Sequence, residues 1–175
     1  LNSIGLSSIN NIVDAANYVL MDSGHPMHTF DLSKIVGNEL NIRFAKDGEK
    51  FTTLDDNERK LNDFHLLICD GEKPVALAGI MGGMNSEIID ETTDILIESA
   101  YFNPTVIRKG AKELDLSTEA SRRFERNTDI EGIISALDQL TALIFELAGG
   151  KVSKGIVDEY PRKKKGNNIL FSLEN

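Results

Sequence analysis

Two histidines stand three residues apart in the stretch "SGHPMHTFDLSKI", residues 23–35, directly after an apolar run. An imidazole can ligate a metal, move a proton or hold a water molecule. A zinc site normally recruits further His, Cys or carboxylate ligands in a recognisable spacing, and the only other histidine, His65, falls in an expected strand. His25 and His28 are therefore not read as a metal site. The single cysteine, Cys69, sits in "HLLICD", a short apolar run in which an unpaired thiol behaves as a small buried hydrophobe. It has no evident base beside it, and no G-x-S-x-G elbow is present, so an acyl-enzyme mechanism has little support.

Three further features could carry chemistry. "AGIMGG" could turn backbone N–H groups toward an anion, or let a ligand lie close to the main chain. It lacks the Lys and Ser/Thr of a P-loop, and its plain reading is a tight turn after a strand. Glu98 follows the aliphatic run Ile95, Leu96, Ile97, where a carboxylate must be solvated, paired or held for a purpose. Arg122, Arg123 and Arg126 could meet phosphates, although Glu119 and Glu125 make an ion-paired helix face equally natural.

The composition is that of an ordinary globular chain: 175 residues, 41% hydrophobic and 27% charged, with four prolines. A net charge of −9 argues against binding nucleic acid mainly through counterion release, so any such contact must be local. Absence of an apolar run of membrane-spanning length, and of a basic signal-peptide start, leads us to expect a cytoplasmic protein without membrane partners. The first residue is Leu1 rather than methionine, which suggests a segment of a longer polypeptide.

The elements that must position these residues can be read from periodicity. Ile9, Ile12, Val13, Ala16 and Leu20 recur at helical spacing, predicting an amphipathic helix over residues 7–23 stopped by Gly24. "NELNIRFA", "KFTTLD", "RKLN" and "HLLICD" alternate as half-buried strands and predict a β-meander. "PVALAGIMGG" reads as a buried strand running into a glycine loop, and "TDILIESAYF" as another strand. Asn103 and Pro104 predict the N-cap and first position of a helix through about Glu113, and "STEASRRFERN" a second short one. Thr128 and Glu131 have capping-box spacing before a third helix, whose stripe is Ile133, Leu137, Leu140, Ile144 and Leu147. "KVSKGIVDEY" reads as a closing strand or two, and "PRKKKGNN" as a solvated charge run. The order of elements predicts an α+β fold with helices layered on a mixed, largely antiparallel sheet.

The stretches "VDAANYVLMDSGHPMHTFDLSKI", "LAGIMGGMNSEI", "ILIESAYFNPTVIRKGAKELDLSTEASRRFERNTD" and "ALDQLTALIFELAGGKV" occur in register and closely resemble the B3/B4 region of the bacterial phenylalanyl-tRNA synthetase beta subunit. In that family the region is an editing module that hydrolyses tyrosine wrongly esterified to phenylalanine tRNA. The resemblance implies a layered β/β/α sandwich with helices on one side. It also implies a domain over residues 1–160, followed by a linker or the start of a next module over 161–175.

By the same resemblance the editing pocket falls on Asn17, His28, Gly79, Gly82, Gly83, Glu98, Thr118 and Ala120. His28 and Glu98 are its catalytic candidates: His28 would place the hydrolytic water or the ester, and Glu98 would accept the phenolic hydroxyl. His25 stands where the family commonly has glutamine and is expected to be scaffold. Ala16 stands where many members carry threonine, so one pocket hydroxyl is expected to be missing. The implied partners are the tyrosine-bearing 3′ end of the tRNA, the alpha subunit and the other beta-subunit domains. No cofactor or metal is implied for editing, whereas ATP and Mg2+ are implied only for the complete synthetase. The competing expectation is a non-catalytic module that positions tRNA or a subunit.

Overall fold

The structure, a computed structural model, describes residues 1–161, 163 and 170. In chain order its elements are α1 (Asn11–Ser23), β1 (Met27–Asp31), β2 (Asn41–Phe44), β3 (Lys50–Thr52), β4 (Glu58–Lys60), β5 (Leu66–Cys69), β6 (Pro74–Leu77), β7 (Met81–Gly82), β8 (Ile95–Ser99), α2 (Pro104–Glu113), α3 (Glu119–Phe124) and α4 (Ile133–Ala148). All strand pairings are antiparallel, and the class is α+β.

Helix α1 begins later than its periodicity predicts, because the Asn10 side chain accepts the Val13 N–H at 2.9 Å and caps it there. Ile9 is left outside, 67% exposed. At the other end Gly24 adopts φ 73, the left-handed turn expected of a helix stop, and its N–H donates to the Leu20 carbonyl. The chain then enters β1, a strand that the pattern of "SGHPMHTFDLSKI" does not announce. Its partner is β8, far along the sequence, so no local signal defines it.

The β1–β8 pair sorts its residues by period two. On one face His28 and Phe30 stand opposite Glu98 and Leu96, and on the other Met27, Thr29 and Asp31 stand opposite Ser99, Ile97 and Ile95. Phe30 and Leu96 join the larger core, which also holds Phe51, Leu67, Val75, Leu77, Ile107 and Phe124. Met27, Ile95 and Ile97 join a smaller core with Ala15, Ala16 and Val19 of α1 and Ala136, Leu140 and Ile144 of α4. Thus α1 and α4 cover one face of β1–β8, while its other face turns toward the four-stranded sheet β2-β5-β6-β7. This gives the expected helix, sheet, sheet layering.

Four expectations are corrected. The middle of the chain is not a simple meander: β2 pairs with β5, and β3–β4 forms a separate hairpin between them. Arg43 and Glu49 help set that excursion by clamping the turn with two hydrogen bonds of 2.8 and 2.6 Å, while the Lys46 N–H also donates to Glu49. The capping box at Thr128 and Glu131 does not form. Asp129 instead accepts the Glu131 N–H at 3.0 Å, and α4 starts only after Gly132. The buried stripe of α4 is Ala136, Leu140 and Ile144, with Leu147 53% exposed. Residues 151–160 form no strand: they pair with none of the sheets, and 151–159 run exposed after α4, Val157 being 95% exposed. Most of the expected linker over 161–175 lies outside the described residues.

Cys69 is free and buried, as expected for a small core hydrophobe, and burial raises its thiol pKa. No helix among the described residues is long and apolar enough to cross a membrane.

Candidate functional site

The site is built on the face of β1–β8 that looks toward the larger sheet. His28 and Glu98 are direct register partners there. Opposite residues of an antiparallel pair share a face with Cβ atoms about 4.5–5.5 Å apart, so the imidazole and carboxyl groups rise side by side. Both are half-buried, and among the described residues neither side chain has a hydrogen-bond or ion-pair partner. Burial disfavours the charged form of each. It pushes the His28 imidazole down to about 4 and the Glu98 carboxyl up to about 7. Near neutral pH the pair is a neutral imidazole beside a carboxyl close to half ionised.

Gly82 closes the third side. A Cβ there would lie 2.5 Å from Cε1 and 2.9 Å from Nε2 of His28, and 2.9 Å from Cδ1 of Leu54. Only a residue without a side chain lets the His28 ring rest against β7. Two residues that the sequence did not single out complete this wall. Phe30, two positions along β1, meets the His28 ring edge-on at 4.4 Å between centroids. Leu54, 39% exposed, donates its N–H to the Gly82 carbonyl at 3.0 Å. Period two could have flagged Phe30, but nothing local announces Leu54.

Gly79 and Gly83 are held by packing instead. Gly79 has φ +67, and a Cβ on it would strike Phe102 at 2.8 Å and Ile107 at 3.0 Å. At Gly83 a Cβ would come within 2.7 Å of both the Phe51 ring and the Val75 carbonyl. Both glycines let the β6–β7 hairpin sit against the core.

Thr118 is the N-cap of α3. Its hydroxyl accepts the Ser121 N–H at 3.0 Å and donates to the Ile80 carbonyl at 2.8 Å, which ties the helix to the hairpin that carries Gly82. Ala120 follows on α3, half-buried against the larger core. Asn17 is half-buried on α1, and Ala16 is enclosed between α1 and α4. His25 is 3% exposed, with its ring edge-on to Phe124 at 6.4 Å between centroids, in a scaffold-like setting. The structure therefore brings His28, Glu98 and Gly82 into one place, with Thr118 and Ala120 attached through the hairpin. Two cavities of about 490 and 450 Å³ lie elsewhere, one beside the arginines of α3 and one between α1, α4 and the N-terminal residues.

The profile of the B3/4 domain family matches residues 1–149. The chain belongs to that family. It is 53% identical over 174 residues to the phenylalanine–tRNA ligase beta subunits of Geobacter metallireducens and Geobacter sulfurreducens, and 52% identical over 174 residues to that of Syntrophotalea carbinolica. In each case 99% of this chain is covered and 22% of the relative, so the B3/4 chain spans about a fifth of the length of these ligase subunits.

Proposed function

We propose that this B3/4 chain is the proofreading module of a phenylalanine–tRNA ligase beta subunit, hydrolysing the ester of tyrosine mischarged onto phenylalanine tRNA. Its partners in that role are the 3′ end of the tRNA, the alpha subunit and the remaining beta-subunit domains. The observation that carries the reading is the juxtaposition of His28 and Glu98 across β1–β8 with the His28 ring resting on Gly82.

Tyrosine and phenylalanine differ by one hydroxyl. A site built to hydrogen-bond that group rejects the analogue lacking it by roughly 10⁴- to 10⁵-fold, because its polar groups would otherwise stay unpaired. Glu98 suits this discrimination, because its carboxyl has no partner among the described residues and in its ionised form accepts the phenolic O–H. His28 suits a different step. With a pKa of about 4 it is a weak base, so it contributes by holding the water or the ester through hydrogen bonds rather than by taking a proton to completion. An aminoacyl ester is already reactive, and orienting water against it is enough to accelerate its loss.

The test is release of tyrosine from mischarged tRNA by the complete ligase carrying Glu98→Ala or His28→Ala. Loss of tyrosine release with phenylalanine charging retained supports the reading, and parental release by both variants refutes it. A non-catalytic positioning role draws on the location of both described cavities away from His28 and Glu98. It predicts that both variants deacylate normally while tRNA or subunit binding is what changes when this module is deleted.

A further inference from the structure

The arginines of α3 and its C-terminal turn do not share one role. Arg123 is engaged through both terminal nitrogens: Nη1 donates to the Glu119 carboxylate at 2.6 Å and to the Glu119 carbonyl at 2.9 Å, and Nη2 to the Met21 sulfur at 3.1 Å. Arg122 is partly engaged, with Nε on the Ser117 hydroxyl at 3.0 Å and Nη1 on Glu119 at 3.2 Å. The Arg126 guanidinium has no partner among the described residues. All three line a single hollow of about 490 Å³, which reaches across to Gly24 at the end of α1. Glu119 and Asp129 also line it, leaving three guanidinium groups against two carboxylates. Thr128 forms part of the same wall, 6% exposed, and its hydroxyl has no hydrogen-bond partner among the described residues.

On a chain of net charge −9 this is a local excess of unspent cationic donors, concave and of a size that admits a phosphate group. The free Nη2 of Arg122 and the whole Arg126 fork are planar donors of the geometry that engages phosphate oxygens in pairs. We infer that the hollow between α3, the 126–129 loop and the end of α1 is a phosphate-binding site that holds a backbone phosphodiester of the RNA strand. This rests on the reading above only in taking the partner to be a tRNA. The site contributes binding and orientation and takes no part in hydrolysis. Phosphate contacts of this kind fix register without reading sequence.

The experiment is equilibrium binding of uncharged phenylalanine tRNA to the complete ligase as a function of salt, for parent, Arg126→Ala and Arg126→Lys. Arg126 is exposed and has no side-chain partner among the described residues, and thermal unfolding of each variant checks that the fold is kept. Loss of one phosphate contact lowers the slope of log affinity against log salt by about 0.7 to 0.9. Arg126→Ala should bind several-fold more weakly with that smaller slope, and Arg126→Lys should keep the parental slope. Unchanged affinity and slope in Arg126→Ala would overturn the inference. A second arm titrates inorganic phosphate against the Arg126 side-chain resonance. Saturable phosphate binding with unchanged RNA affinity would overturn the assignment to an RNA strand. Because uncharged tRNA is the probe, failure here leaves tyrosine hydrolysis untouched, and failure of hydrolysis leaves this binding measurement valid.

Discussion

His28 on β1 lies directly opposite Glu98 on β8, and burial drives their pKa values past one another, the imidazole to about 4 and the carboxyl to about 7. An isolated histidine and glutamate would titrate in the reverse order. The inversion leaves two neutral groups side by side over a wide range of pH, with measurable consequences.

The first concerns stability. The folded Glu98 carboxyl holds its proton more tightly than the ordinary value of 4.5, so its contribution is present below about 4.5 and is lost as pH rises through about 7. His28 has the opposite sign. Its pKa falls from 6.5 to about 4, so the folded state sheds a proton and stability rises with pH over that interval. The two contributions oppose each other through most of the range, each on the order of 3 kcal/mol in total at most. Urea unfolding should show a nearly flat parent, a Glu98→Gln variant that gains stability from pH 4 to 6.5, and a His28→Gln variant that loses it from pH 4.5 to 7.

The glycines of the β6–β7 hairpin should separate by phenotype. A methyl at Gly82 meets chiefly the end of the His28 side chain and Leu54, which can move, so Gly82→Ala should fold with a stability loss below about 1 kcal/mol yet release tyrosine far more slowly. Gly82→Trp should block release altogether in a folded domain. At Gly83 the clash includes the Val75 carbonyl of the sheet itself, so Gly83→Ala should cost about 1–3 kcal/mol in urea unfolding.

The Thr118 hydroxyl serves both the α3 cap and the Ile80 carbonyl. Thr118→Val should lower stability by about 1–2 kcal/mol, and Thr118→Ser should restore most of it. Equal unfolding midpoints for Thr118→Val and parent would show that the hairpin does not depend on this tie.

These relationships are unequally visible in the sequence. The start of α2 is fully legible, because an N-cap is a local device: Asn103 accepts the Thr105 and Val106 N–H groups ahead of Pro104, as its position predicts. The Gly24 stop and the burial of Cys69 are legible for the same reason. Strand β1 is not, since it exists only by pairing with β8, and the His28–Glu98 register is set by that long-range match. Family resemblance puts both residues in one pocket without saying that they are cross-strand neighbours. The closing strand at 151–160 fails conversely: its pattern suits a strand, but a strand exists only by pairing, and this segment joins none of the sheets.

If Glu98 reads the phenol, its ionisation should govern tyrosine binding. The KM for tyrosyl-tRNA hydrolysis should fall as pH rises through about 7, and Glu98→Gln should show no such dependence. A parent whose KM stays level across that transition would contradict this role.

The most direct measurement is the ratio of tyrosyl- to phenylalanyl-tRNA hydrolysis by the complete ligase, for parent and Glu98→Ala. Loss of a hydrogen bond to a charged group is worth about 1.5–3 kcal/mol, so the ratio should drop roughly 10- to 100-fold through a fall in the tyrosine rate alone. If both esters slow equally and the ratio stays at its parental value, Glu98 acts on the ester and not on the hydroxyl, and the account of discrimination fails.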